Sequence, residues 1–280
     1  ALALGVEKLY CNNTARSIQA LASDSDLELG QMGFQFSAWY AMELKKYMQE
    51  TGATREHFAK VAVKNSYNGS LNPYAQHRRP LSIEEVLGSR VIAEPLTLYM
   101  CSSMGDGAAA AILCAKEVAP RFTSGPLVTV GACCLRSGMF RRPGEEGPSS
   151  ATLTAQQAYK MAGVGPEDIN VCEVHDAMAP AELMIYEELG FCGPNEGPML
   201  IEQGATTLKG RIPVNTSGGL AAKGHPVGAT GLAQLSEIVW QLRGQAGPRQ
   251  VAGARVGMVH NVGGFVEWDN AASTITILKR

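Results

Sequence analysis

The chain of 280 residues has seven cysteines but no C-x-x-C pair and no zinc-type spacing of cysteine and histidine. Cys11, Cys101, Cys114, Cys133, Cys134, Cys172 and Cys192 are odd in number and scattered, which argues against a regular disulfide framework and against a metal site. Cys114 and Cys172 stand in apolar runs, so buried thiols in a reducing compartment are expected. No apolar run approaches the ~20 residues of a membrane span. No secretory leader pattern is visible, and the terminal Ile277-Leu278-Lys279-Arg280 is not a peroxisomal tripeptide. A cytoplasmic protein is the expectation, or a peroxisomal one if the source is eukaryotic. Charge of one sign is missing too. Lys and Arg number 24 against 26 Asp and Glu, a net charge of −2, which gives no broad electrostatic case for nucleic acid. A phosphate loop is also absent. Lys223 in the stretch Gly218 to Lys223 is followed by Gly224 and His225, not by Ser or Thr, and this excludes a P-loop triphosphatase.

What remains is an ordinary globular composition, 45% hydrophobic and 18% charged, long enough for a large core in one or two domains. The most informative stretch is Val214-Asn215-Thr216-Ser217-Gly218-Gly219-Leu220-Ala221-Ala222-Lys223-Gly224-His225-Pro226-Val227-Gly228-Ala229-Thr230-Gly231. It sets one histidine in a glycine-dense turn between an apolar strand at Ile212–Val214 and a helix marked by Leu232, Leu235, Ile238, Val239 and Leu242. His225 is placed there to meet a small polar group.

From Pro126 onward, strand and helix signals alternate: strands at 127–132, 171–175 and 212–214, helices at 154–161, 181–189 and from Leu232, and closing strands at 255–259 and 273–278. Such alternation predicts an α/β protein with a sheet covered on both faces. Before it, 1–9 and 108–114 read as strands, and 10–95 as irregular and helical connections. Within those connections an amphipathic segment spans 32–49, and Thr54 and Ser82 stand at helix starts. Two domains follow, 1–125 with the inserted loop region and 126–280. Asp106-Gly107 reads as a structural turn, and Trp39, Trp240 and the methionines as core. The pairs Arg78-Arg79 and Arg141-Arg142 read as solvated loop charge.

The histidine stretch, as Asn-x-x-Gly-Gly followed by Gly-His-Pro-x-Gly-x-x-Gly, resembles the histidine motif of thiolases. Glu173-Val174-His175-Asp176-Ala177-Met178 resembles the His-Asp-Cys-Phe motif of the sterol-carrier-protein-2 type, and His260-Asn261-Val262-Gly263-Gly264 its C-terminal His-Asn-x-Gly motif. Further matches fall at His57-Phe58-Ala59-Lys60, Asn72-Pro73-Tyr74, Asp106 to Ala111, Tyr186 to Cys192 and Trp240 to Gly244. The resemblance implies the thiolase fold, layered αβαβα and built from two related βαβαβαββ halves, with the first half incomplete here. It implies a catalytic base at His225, an oxyanion donor at His175, and a third catalytic histidine, His260. Ser217, Gly218, Gly219, Gly263 and Gly264 would contact coenzyme A as co-substrate, the last two through a second anion hole. Arg78-Arg79 or Arg141-Arg142 would meet its phosphates. The implied reaction is thiolysis of a 3-ketoacyl-CoA or the reverse condensation, within fatty acid or sterol degradation, by a homodimer or homotetramer, with a partner subunit as a further option.

This sequence departs from the family at two sulfur positions. The acid/base cysteine of the His-Asp-Cys-Phe motif is Ala177, and no cysteine stands near Val262-Gly263. The segment 265–270 looks inserted. No cysteine matches the nucleophile, and Cys101-Ser102-Ser103 aligns with the end of the first half. The chain starts within what reads as a strand, so the nucleophile is expected in a segment preceding Ala1. Rival readings are a thiolase-like carbon–carbon lyase or an acyltransferase without enolate chemistry, and a non-catalytic carrier of CoA esters or lipids.

Overall fold

The computed structural model describes residues 1–22, 33, 35–140, 147–266 and 269–280. Arg141-Arg142, Met32, and the middle of the stretch read as inserted, 267–268, lie outside the described residues.

Strand β1 (Leu2–Glu7) opens the chain, followed by helices α1 (Thr14–Ala22), α2 (Phe36–Thr51), α3 (Arg55–Ser70) and α4 (Ile83–Gly88). Reciprocal capping starts two of these helices. The Thr54 hydroxyl accepts the His57 amide while the His57 ring accepts the Thr54 amide, and Ser82 and Glu85 do the same for α4. After the short pair β2 (Val91–Ala93) and β3 (Leu96–Thr97) comes β4 (Gly107–Ile112). It runs antiparallel to β1, with Leu2 opposite Ile112 and Glu7 opposite Gly107. The sequence suggests a buried strand here. The structure buries one face only: Leu2, Leu4, Val6 and Ile112 point outward and are exposed. Asp106 is the structural turn expected, because its carboxylate accepts the Leu9 and Tyr10 amides and ties the end of β1 to the start of β4.

The second half contains β5 (Thr129–Ser137), α5 (Ser150–Ala162), β6 (Val171–Glu173), α6 (Ala181–Glu188), α7 (Gly197–Glu202), α8 (Gly219–Lys223), α9 (Val227–Arg243), β7 (Val256–Val266) and β8 (Asp269–Lys279). Its sheet has the order β5-β8-β7-β6, with β6 parallel to β7 and β8 antiparallel to both neighbours. The expected strand at Ile212–Val214 is reduced to one parallel bridge, Val214 with Cys172, at the edge beyond β6. Two expected strands are longer than read. Strands β7 and β8 continue as a hairpin past His260, pairing Gly263 with Ala272 and Phe265 with Asn270.

Helix α5 packs on β5 and β8. Helix α9 lies between the two sheets, against β6 and β7 on one side and β1 and β4 on the other. That central helix is why β1 carries a glycine. A Cβ on Gly5 would stand 2.6 Å from the Gly228 carbonyl oxygen, and one on Gly228 would stand 2.7 Å from that of Val6. Backbone meets backbone there, and neither side can step aside. Two other expectations are corrected. Trp39 and Trp240 are half-buried at the periphery, Trp39 against Phe265 and Trp240 stacked on Tyr74. Cys114 is exposed because β4 ends before it, whereas Cys172 is buried.

Gly5→Ala is expected to destabilise the fold by about 1–3 kcal/mol through overpacking. Urea denaturation followed by far-UV circular dichroism checks this, and an unchanged midpoint would show that the sheet slides off α9 at no cost.

Candidate active site

Parallel pairing brings distant histidines together. Strands β6 and β7 match Val171 with Gly257 and Glu173 with Val259, so the next step of each chain carries Val174 and His260 side by side. The His175 amide then points at His260 Nδ1, 3.5 Å away. His225 arrives from the other side, its ring meeting that of His175 edge-on with centroids 5.0 Å apart. The cluster forms at the carboxyl end of the parallel strands, where open α/β sheets collect their functional groups. His260 was read as ending its strand; it is interior to β7 instead, and 1% exposed.

The turn that delivers His225 is anchored by three buried carboxyl groups. Asn215 adopts a left-handed conformation at φ 54°. Its side chain holds that shape by accepting the Val174 amide at 2.9 Å and donating to Glu182 at 2.8 Å. Glu173 accepts both the amide and the hydroxyl of Ser217. Asp176 accepts the Leu220 amide at 2.8 Å, so it caps α8 rather than the turn that follows it. Lys64 and Asn65 of α3 close the arrangement, Lys64 by donating to Glu182 and to the Val214 carbonyl, Asn65 by donating to Asp176 and Glu182. Residues 173, 176 and 182 thus flank His175 in sequence and grip 214–220 in space.

This accounts for Ser217, Gly218 and Gly219, read as coenzyme contacts from sequence. All three are buried. Gly218, at φ 109°, has room for no side chain, because a Cβ would lie 2.7 Å from the Gly69 Cα. They build the turn and do not line the cavity beside it. Gly263 and Gly264 are also displaced from their expected place. Both lie within β7, Gly263 exposed and paired with Ala272, so the strand continues where a second anion hole was read.

After α8 the chain Ala222–His225 is held on both flanks. Gln76 and His77 donate their amides to the Lys223 and Ala222 carbonyls, and the His225 amide donates to the Ser103 carbonyl at 3.1 Å. The His77 ring and the Ser103 hydroxyl, 2.8 Å apart, link the two flanking segments. Beside them opens a cavity of about 710 Å³. Its walls include Leu9, Leu81, Leu98, Tyr99 and Met104, with Gln76, His77, Arg78, Arg79, Ser102 and Ser103 as polar contributors. Arg79 pairs with Glu85, whereas Arg78 forms no ion pair among the described residues. Ser103, His77 and Arg78 were not singled out as site residues by spacing; the basic pair was the only signal.

The cluster is built to stay neutral. Burial depresses the His175 imidazole to about 4 and that of His260 to about 3. Burial, then His175 and Lys223, hold His225 well below the ordinary imidazole range. The His175 Nδ1 and His260 Nε2 atoms are buried without a hydrogen-bond partner. Unpaired buried polar atoms clustered at one end of a sheet are what a site waiting for a polar ligand presents. Cys101 lies across from Met178 but is no activated nucleophile: burial raises its thiol to about 11. Among the described residues no group of three or more His, Cys, Asp or Glu is arranged to hold a metal ion.

Residues 139–280 match the family described as "Thiolase C-terminal domain-like". The acetyl-CoA acetyltransferase of Methanothermobacter thermautotrophicus is 44% identical over 266 residues, covering 94% of this chain and 69% of that protein. With the fold in place, these matches define the class: the chain belongs to the thiolase superfamily. Sterol carrier protein 2 sequences are among its relatives. Sterol carrier protein 2 of Bos taurus is 38% identical over 280 residues, and the chain spans about half of it, 51%. Among solved structures, the "Ltp2-ChsH2(DUF35) aldolase" superposes with a TM-score of 0.81 at 27% identity, covering 98% of this chain and 71% of that one.

The depressed imidazoles set the acid limb of stability. An unfolded chain takes up histidine protons near 6.5, and the native cluster does not, so stability present above about pH 6.5 is lost as pH falls toward 4. His260→Gln removes one such group. Its unfolding free energy is expected to decline less than that of the parent between pH 7 and pH 4.5 in urea titrations. Equal slopes would mean that His260 titrates alike in both states.

Proposed function

We propose that this chain carries the histidine centre of a thiolase-type acyltransferase that cleaves or forms a 3-ketoacyl-CoA through an acyl-enzyme thioester. The observation that carries the reading is the convergence of three neutral imidazoles at the carboxyl end of the parallel strands, with the segment leading to His225 hydrogen-bonded to the loops that wall an arginine-bearing cavity. The family membership and the acetyl-CoA acetyltransferase relative support it.

His225 accepts the proton of a cysteine thiol, and the thiolate attacks the keto carbon. The bond between that carbon and the α-carbon breaks. Its electron pair stays on the α-carbon, stabilised as the enolate of the departing CoA thioester, which then takes the proton that His225 received from the thiol, passed on through His260 and leaving His225 neutral again. Free coenzyme A attacks the enzyme thioester, its thiol proton passing to His225, and the enzyme thiol is restored. His175 donates to the oxygen that gains charge, where a preorganised donor is worth most. With alanine at 177, His260 is our candidate for moving the α-proton. Burial raises the thiol of Cys101 and makes it unsuited to the attack; on the resemblance to the thiolase motifs, which no cysteine here matches at the nucleophile position, we assign the attacking cysteine to polypeptide outside residues 1–280. The cavity takes the pantetheine arm along its apolar wall, and Arg78 meets a phosphate. The assembly is a homo-oligomer, with a partner subunit as in the two-component aldolase that this chain resembles.

One observation favours a second reading. Both sulfur positions are vacated, and a structural neighbour is an aldolase. Thiolysis consumes one free CoA thiol per bond broken, whereas aldol cleavage consumes none. In the full-length gene product, thiol titration during turnover of acetoacetyl-CoA and of a β-hydroxyacyl-CoA separates the two.

His225→Ala is expected to lower turnover by about 10²–10⁴-fold, the usual cost of a lost general base. Turnover within twofold of the parent would remove the acyltransfer reading of this histidine. Arg78→Ala deletes a charge-assisted contact of about 1.5 kcal/mol. It should therefore raise KM for CoA on the order of 10-fold with kcat little changed. Steady-state kinetics at varied CoA decides it.

A further inference from the structure

Thr230 is fully buried in the first turns of α9, and nothing solvates its hydroxyl. That hydroxyl has two neighbours: the Pro226 carbonyl oxygen at 3.0 Å and His225 Nδ1 at 2.8 Å. A hydroxyl has one proton. If it went to Nδ1, the Thr230 and Pro226 oxygens would face each other as bare acceptors. If the hydroxyl donates to Pro226, the helical i−4 pattern, then Nδ1 must be the donor toward Thr230. Only the relay Nδ1–H to hydroxyl to carbonyl places a proton in both contacts.

The geometry points to Thr230 as a positioning residue that fixes the tautomer of His225, keeping the proton on Nδ1 and the lone pair on Nε2. Which nitrogen of a neutral imidazole bears the proton is set by the bond the other nitrogen makes. The backbone of His225 is tied on its opposite side to Ser103, and the ring is wedged edge-on against His175. Amide, Nδ1 and ring face are all engaged, so Nε2 is the atom left to take a proton from a thiol. The groups that bear on the ring, His175 and Lys223, both oppose a second proton on it. The ring therefore works as a neutral acceptor, for which the right tautomer is a precondition. The catalytic use of this tautomer rests on the acyltransferase reading; the tautomer itself does not.

The test uses the full-length gene product with 15N-labelled histidine. Long-range 1H–15N correlation spectra distinguish the two neutral tautomers by nitrogen shift, with His225 assigned by its absence in His225→Ala. The expected result is the Nδ1–H form in the parent and in Thr230→Ser, and loss of that form in Thr230→Val, which preserves shape but not the hydroxyl. Turnover of acetoacetyl-CoA with CoA should fall on the order of 10²-fold in Thr230→Val, with kcat rather than KM affected, and recover in Thr230→Ser. An Nε2–H form in the parent overturns the proposal without any variant, so a Thr230→Val that fails to fold does not protect it. An Nδ1–H form that persists in Thr230→Val overturns it too. If the tautomer switches in Thr230→Val and turnover is unchanged, the tautomer assignment stands and His225 loses its role as base.

Discussion

Glu182 lies at the buried centre of the second half, its carboxyl ringed by Lys64, Asn65, Asn215 and Tyr186. A carboxyl group out of contact with water needs such company, because the cost of an uncompensated buried charge is several kcal/mol. Satisfying it fixes three separate pieces of chain at once. Lys64 and Asn65 bring in α3 from the connecting region. Asn215 holds the left-handed turn after Val214, and Tyr186 belongs to the helix that Glu182 itself occupies. The position of His225 follows from that arrangement, since the turn leading to it has no regular strand to hold it. A single bridge at Val214 is all the sheet contributes.

The acidic side of this scaffold has its own electrostatic character. Glu173 is pushed up to about 7 by burial and by Glu237, and Asp176 is raised well above the carboxyl range by burial and Glu182. These groups serve as hydrogen-bond acceptors for amides and hydroxyls of the turn. Burial keeps the imidazoles unprotonated despite these carboxyl groups, because none of the rings is solvated enough to carry charge, and Lys223 adds to the effect at His175 and His225.

The region between β1 and β4 does more than connect two paired strands. Residues 76–79 and 101–104 flank the segment up to His225, bonded to it through the backbone of Gln76, His77 and Ser103, and the same residues wall the cavity. The shape of the cavity and the placement of the segment leading to His225 are therefore set by the same loops. Changes in length there would move both together.

Much of this organisation was legible in the sequence. Helical spacing from Leu232 marked α9, capping chemistry marked α3 and α4, and the three histidine motifs identified the family. These signals are local, and a few consecutive residues are enough to read them. The sequence was misleading at the glycines and at strand ends. Ser217, Gly218 and Gly219 look like a ligand loop, yet are buried against Gly69 and Glu173, contacts about 150 and 40 residues away in the chain. His260 follows the strand read at 255–259, but pairing with β8 carries that strand onward past Gly263 and Gly264. Thr230 gave no signal by itself, being one residue in a motif. By its own pattern the sequence determined which segments form helix or strand, and which histidines matter to the family. Only the tertiary structure decided that three histidines meet, that Nδ1 of one of them faces a buried hydroxyl, and which glycines are framework. Those outcomes depend on parallel register and on burial, and both are set by partners that no local spacing reveals.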